Sequence, residues 1–332
     1  MTDRRTGLLF VGAPSVPEIV ELAKRCEARG FDSVWMAETR LTRDSFVPMT
    51  AMAMATERIK VGSGIVNVFT RGPVVLAISF IGLEELAPGR ILMGLGTGSP
   101  LVLQPQGVAF ERPLTRLREY CEVIPRLIRG DEVTYKGQTI RLQAARVEDL
   151  LSERGGAAGP RTTLPLWLGV TGPRALEYAG RVADGVMLNT CLPVEYVRDA
   201  VRRIAEGARS AGRKPDEVEI AMANATAPHP ESAEGKRVAA RFIALYLSLF
   251  PNIAKATGLD ERLLSRVRQA FEERGLDAAS ELVGDEVVDR LTVAGTVEEC
   301  RARLDEYRAA GVQMPILAPL EQTMDLAVDA LA

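Results

Sequence analysis

The chain has 332 residues, enough for two average domains or one α/β barrel, and 47% of them are hydrophobic, so a large core can be buried. Its 41 Lys and Arg against 44 Asp and Glu leave a formal net charge of −3, which excludes bulk attraction to nucleic acid or an anionic membrane and points to a small-molecule partner. No secretory-type leader is recognisable and the longest apolar run, Phe242–Phe250, is too short to span a bilayer, so a cytoplasmic protein is expected.

In chain order, the apolar run Gly7–Val11 reads as a first strand ending in Gly12-Ala-Pro14. Ser15-Val-Pro-Glu18 has the form of a capping box for a helix that Gly30 stops. Ser33–Ala37 is a second strand running into the polar cluster Glu38-Thr-Arg40, and a helix over 45–56 leads to a third strand, 61–68. That strand is rich in β-branched residues but interrupted by Gly62 and Gly64, which marks a bulge or a close approach by backbone or ligand. A helix over 73–87 follows, then a fourth strand, 90–95, ending in Gly96-Thr-Gly-Ser-Pro100. The helix over 115–129 contains Pro125, and 133–142 has the pattern of a two-stranded hairpin turning at Lys136-Gly137. Arg154–Pro160 is expected to be a flexible loop.

Leu166–Val170 and Gly185–Asn189 are the fifth and sixth strands, separated by a helix whose first turn holds Pro173. A helix over 194–210 and a seventh strand over 218–222 come next. Residues 231–290 are mainly helical and too long for one crossover, so they are expected to form an insertion. Thr296-Val-Glu-Glu299 caps a last helix before the eighth strand, Met314–Leu317. Eight strands with intervening helices and no clear linker predict one (β/α)8 TIM barrel over 1–332, with a hairpin and loop insertion at about 131–163 and the helical insertion after strand seven.

In a barrel the functional groups gather where strands end. The predicted rim holds Glu38, Thr39 and Arg40, then Asn67, Thr70 and Arg71, then Gly96 to Ser99, Thr171-Gly172, Asn189, Cys191, and Asn224 to His229. The helix opening at Thr171-Gly172-Pro173 presents free N–H groups and its positive dipole end, as an anion such as phosphate requires. The glycines of Gly94-Leu-Gly-Thr-Gly98 lack the Rossmann spacing and point to a flat ligand lying close to backbone. Glu38 at the end of a buried strand must meet a ligand or an arginine, Arg40 or Arg71, and it is the first candidate catalytic group. His229, the only histidine, and Cys191 are secondary catalytic candidates. Cys26, Cys121, Cys191 and Cys300 are scattered without a Cys-x-x-Cys pair, which argues against a zinc site or a disulfide scaffold; no metal is expected.

Ile59–Pro73, Leu83–Gly98, Gly169–Pro173 with Ala183-Asp-Gly185, and Gly295–Cys300 together resemble the bacterial luciferase-like superfamily over nearly the whole chain, in particular the branch using deazaflavin coenzyme F420, which includes methylenetetrahydromethanopterin reductase. The resemblance implies a TIM barrel, a homodimer, and a non-prolyl cis peptide between Gly64 and Ile65 against which the deazaflavin ring leans. It further implies coenzyme contacts from Glu38, Thr39, Ser63, Asn67, Gly96, Thr97 and Gly98, with Val170, Thr171 and Gly172 at the phosphate. The chain departs from the sugar-phosphate dehydrogenases and the methanopterin reductases of that branch, which show Asp-His where Glu38-Thr39 stands here. The activity implied is hydride transfer between F420 and a small organic substrate. An FMN-dependent monooxygenase of the same superfamily and a non-catalytic F420- or flavin-binding homologue are the alternatives.

Overall fold

In the computed structural model, residues 4–12, 14–39, 41–147 and 163–332 are described. The loop expected at 154–160, and Arg40 as a partner of Glu38, lie outside them.

The strands β1 (Gly7–Phe10), β2 (Ser33–Met36) and β3 (Lys60–Ser63) pair in parallel, each one residue run beside the next. The third predicted strand is broken: β3 stops at Ser63, the Gly64–Ile65 peptide bond is cis, and the chain resumes as β4 (Val66–Asn67). Both pieces pair with β5 (Ile91–Gly96). The hairpin β6 (Val133–Lys136) and β7 (Arg141–Ala145) is antiparallel and separate from the main sheet. The ring continues through β8 (Leu166–Gly169), β9 (Gly185–Leu188), β10 (Glu219–Pro228) and, past the short β11 (Val293–Gly295), β12 (Met314–Pro319). Pairing of β12 with β1 closes an eight-position parallel barrel, a (β/α)8 TIM barrel.

One difference from the sequence reading in strand length matters for the site. The seventh strand does not end at 222; it runs to Pro228, so Asn224 is a buried strand residue, 2% exposed, whose amide donates to the Met222 carbonyl at 2.7 Å. The strand is long because β11, three residues that fall below any periodicity signal, adds beside Thr226–Pro228. The insertion contains helices Ser232–Leu249, Pro251–Ala256, Glu261–Arg274, Leu276–Ser280 and Asp285–Leu291 among the described residues. None of the described helices is long and apolar enough to cross a membrane.

The core has two layers. Outside the ring, apolar strand faces meet the helices, whose ends are placed by local chemistry: Glu18 accepts the Ser15 N–H at 2.7 Å, Glu299 accepts that of Thr296 at 2.6 Å, and Gly30 takes the left-handed conformation (φ 84°) that ends the first helix. Inside the ring, Trp35 and Trp167 meet edge to face at 5.1 Å between centroids. Gly62 and Gly185 give them room; a Cβ at either position would come within 2.4 Å of an indole ring. The Trp35 Nε1–H is satisfied by Ser33 Oγ at 2.8 Å. These two rings plug the lower barrel, which leaves the upper end as the place for a ligand.

Candidate functional site

The floor of the upper mouth is small and apolar. Leu9, Ala37, Met187 and Ala223 each keep between 6% and 8% of their surface accessible, and Ala318 is partly buried beside them. Gly64 and Ile65 are half-buried at this level, with Gly64 lying against Leu9 and the Met187 thioether.

The glycines around Ile65 have a different purpose from the one the sequence suggests. A Cβ on Gly96 or Gly169 would come 2.7 or 2.8 Å from the Ile65 side chain, and one on Gly94 would lie 1.8 Å from the Ser63 carbonyl oxygen. The space left by these missing side chains is filled by the chain's own bulge, so Gly94 and Gly96 serve close approach of backbone and not a flat ligand, and Gly169, which the sequence did not single out, serves the same bulge. Ser63 needs a similar correction: its hydroxyl is fully buried, donating to Gly94 O at 2.7 Å and accepting Gly94 N–H at 2.9 Å, and so clamps β3 to β5 and cannot reach a ligand. Thr97 and Gly98 remain accessible at the rim, Gly98 at φ 64° against Asn67.

Glu38 sits just past β2 in a closed network. One carboxylate oxygen accepts from Arg71 at 2.6 Å and the other from the Asn67 side chain at 2.7 Å and its N–H at 3.3 Å. Arg71 also pairs with Asp44 and lies 5.1 Å above the Phe46 ring. Asn67, 2% exposed, accepts from Phe69 N–H and Thr70 N–H, both at 3.0 Å, and so folds the turn after β4. Because both Glu38 oxygens are engaged, the network is built to hold shape: it ties the end of β2 to the bulge, whose Ile65 carbonyl accepts the Glu38 N–H at 3.4 Å. Thr39 is half-buried, and its carbonyl accepts from Thr42 Oγ1 at 2.9 Å.

Across the mouth, Val170 and Thr171 leave β8 and Gly172 caps the helix Pro173–Val182. Ala175 N–H and Leu176 N–H turn back to the Gly172 carbonyl at 2.9 and 3.0 Å, and Pro173 has no N–H. Among the described residues no acceptor takes the N–H of Gly172 or Arg174. Nothing lies within 4 Å of a Cβ position on Gly172, so this helix start opens to free space. Thr171 O accepts the Tyr196 hydroxyl, which fixes the segment from the next helix, Val194–Ser210.

Asn189, two residues beyond Met187 on the same side of its strand, is half-buried at the rim. Its Oδ1 accepts Thr190 N–H and the Tyr246 hydroxyl, both at 2.8 Å. Cys191 is not a reactive group. It is fully buried, and burial pushes its thiol up to about 12, so the nucleophilic thiolate does not form near neutrality. His229 stands beside β11, its N–H donating to Gly295 O at 2.8 Å and its Nδ1 accepting Glu231 N–H at 3.0 Å. It thus orders the entry to the helix Ser232–Leu249, and among the described residues no carboxylate pairs with it. Tyr196 and Tyr246 carried no motif in the sequence; each reaches the site from a helix packed around it.

A family model described as luciferase-like monooxygenase matches residues 3–314. A 5,10-methylenetetrahydromethanopterin reductase of Methanolobus tindarius is 32% identical over 308 residues, covering 92% of this chain and 91% of that protein. The solved structure of the coenzyme F420 dependent tetrahydromethanopterin reductase from Methanopyrus kandleri superposes with a TM-score of 0.86 at 23% identity, over 99% of this chain and 98% of that one. An F420-dependent secondary alcohol dehydrogenase, solved in complex with an F420-acetone adduct, superposes with a TM-score of 0.79 at 22% identity over 99% and 97%. At these identities the two structures speak for the fold.

Proposed function

We propose, for a chain that belongs to the luciferase-like monooxygenase family, an oxidoreductase activity in which a hydride passes between the deazaflavin coenzyme F420 and a small organic substrate. The observation that carries this reading is the pairing of an apolar floor (Leu9, Ala37, Met187, Ala223) with an open helix start at Thr171-Gly172-Pro173 on the same rim. A flat ring bearing a phosphate through a flexible arm has those two requirements. F420 is preferred to FMN because a putative coenzyme F420-dependent oxidoreductase of Mycobacterium tuberculosis is 26% identical over 96% of this chain, and an F420-dependent glucose-6-phosphate dehydrogenase of Nakamurella multipartita is 30% identical over 62% of it.

The coenzyme, when bound, supplies the hydride chemistry, and the protein supplies placement and a dry surface. With the coenzyme bound, the floor would exclude water beneath the ring, and the Gly172 and Arg174 N–H groups would receive the phosphate. Glu38, Asn67 and Arg71 hold the Gly64–Ile65 segment in register with Thr39, Thr97 and Gly98. The methylene-pterin of the Methanolobus relative is the first substrate class to assay, with Glu38-Thr39 in place of Asp-His as the reason a different substrate would be found.

Titration of the purified protein with F420 and, separately, with FMN tests the reading: saturable binding of F420 is expected, and tight binding of FMN alone overturns it. Gly172→Glu separates the phosphate site from stability, because φ there is −72° and the Cβ meets nothing. Thermal stability should hold while coenzyme affinity is lost through charge repulsion and blockage of the N–H groups.

The same family reading carries a homodimer. Helices Phe46–Ala55 and Pro73–Leu86 hold no charged residue before Glu84 and leave Val47, Met54, Val75 and Ile78 more than half exposed. A second copy presenting the same two helices would cover this apolar face. The four free, buried thiols suit a reducing cytoplasmic setting.

A further inference from the structure

The helical insertion reaches the mouth through the Tyr246 hydroxyl. Its partner, Asn189 Oδ1, is also touched by Thr190 N–H at 2.8 Å. A backbone N–H can only donate, so the atom it meets is the amide oxygen and the Asn189 amide orientation is settled by chemistry. Tyr246 then donates to the same oxygen. The Asn189 Nδ2 group is left with two donor hydrogens, and among the described residues no acceptor takes either. Met187, two residues earlier on that strand face, packs against Gly64, so Asn189 stands one layer above the Gly64–Ile65 segment. Gly169 pairs with Met187, so Thr171 and Asn189 each lie two residues past a paired position where neighbouring strands end.

We infer that Tyr246 is a positioning residue that turns the Asn189 amide so that its NH2 donates to an oxygen of the bound coenzyme beside the Thr171–Gly172 segment. The helix Ser232–Leu249 holds the tyrosine rigidly: Phe242 and Phe250 lie one turn to either side, with ring centroids 5.1 and 4.6 Å from it. Through this one hydroxyl the insertion sets the donor pattern of the barrel mouth. Without it, Thr190 N–H alone orients the amide, and the NH2 samples positions away from the ligand.

The inference rests on the F420 reading for the identity of the ligand, and the experiment keeps the two apart. F420 affinity is measured for the wild-type protein, Tyr246→Phe, Asn189→Ala and the double variant, with a melting temperature for each. Asn189→Ala and Tyr246→Phe are each expected to weaken binding about fivefold, the worth of one hydrogen bond. The double variant should bind no more weakly than Asn189→Ala alone, because the tyrosine acts only through the amide. Tyr246→Phe changes no packing volume, so a wild-type melting temperature with weakened binding marks positioning. Unchanged affinity in Tyr246→Phe, or full additivity in the double variant, overturns the inference. If the wild-type protein takes FMN and not F420, the coenzyme assignment falls. The same cycle run with FMN then supports the inference if non-additive and refutes it if flat.

Discussion

Arg71 serves two carboxylates at once, and the two contacts are unequal. Glu38 is 11% exposed on its side chain and Asp44 is 40% exposed. Removing the arginine strands Glu38 in a place from which water is largely excluded, so Arg71→Met should destabilise the fold by about 3 kcal/mol. Asp44→Asn should cost under about 1 kcal/mol, as exposed pairs do. Chemical denaturation of both variants checks the ordering, and equal losses would refute it. Gly96→Ala addresses the bulge: its methyl would press on Ile65 and should destabilise by about 2 kcal/mol. In an Ile65→Ala background that loss should shrink, because the atom it collides with is gone. At this scale the sequence was informative about pairing and misleading about space. A carboxylate at the end of a buried strand had to find a ligand or an arginine, and Arg71 was one of the two arginines named. The glycines looked like ligand room because nothing local reveals that Ile65 and the Ser63 carbonyl fill it. Cys191 and Asn224 were misplaced for a related reason: burial depends on what comes from far along the chain, here Tyr307, whose hydroxyl donates to Leu192 O beside Cys191, and β12, which pairs with Asn224.

Among the elements, the hairpin β6–β7 shows how a single buried charge can organise a turn. Glu119, on the helix Pro113–Ile128 and 5% exposed, accepts from Gln138 N–H, Thr139 N–H, the Thr139 hydroxyl and Ile140 N–H. Gly137 is required beside it, since a Cβ there would lie 2.5 Å from the carboxyl carbon. Burial raises the Glu119 pKa, but these hydrogen bonds outweigh it and the net shift is downward. A carboxyl whose folded pKa is lowered contributes stability that is present above its unfolded value and lost as pH falls through the folded one. Glu119→Gln should therefore cost about 2 kcal/mol at neutral pH, and the gap to wild type should narrow in acid. Denaturation at neutral and acidic pH reads this directly; a constant gap would refute it. The sequence revealed the hairpin through its alternation and its Lys136-Gly137 turn, and the eight barrel strands through apolar runs ending in glycine or polar residues. It hid the carboxylate, which lies outside the hairpin altogether.

At the scale of the whole molecule, closure of the ring is what makes the mouth a site, because it brings β2, β3, β8 and β9 around one floor although they are spread over nearly half the chain. The exposed apolar helices outside that ring are the face on which the proposed dimer would form. Val47→Lys with Ile78→Glu should convert a dimer into a monomer in sedimentation without loss of secondary structure, and a chain that sediments as a monomer before substitution would remove the dimer proposal. The fold was legible as a whole because a repeating strand and helix alternation with no linker admits few architectures.

The edge-to-face indoles that plug the lower barrel have an optical consequence. Trp35 and Trp167 are the only two tryptophans in the sequence, and both are almost wholly shielded from water, at 0% and 3% exposure. The intrinsic emission of this protein is therefore a private signal of the barrel interior. It should be blue-shifted in the native state and stay so while the helices between Ser232 and Leu291 melt, turning red only when the ring of strands opens. Comparing that trace with circular dichroism during thermal unfolding would show whether insertion and barrel come apart together or in turn.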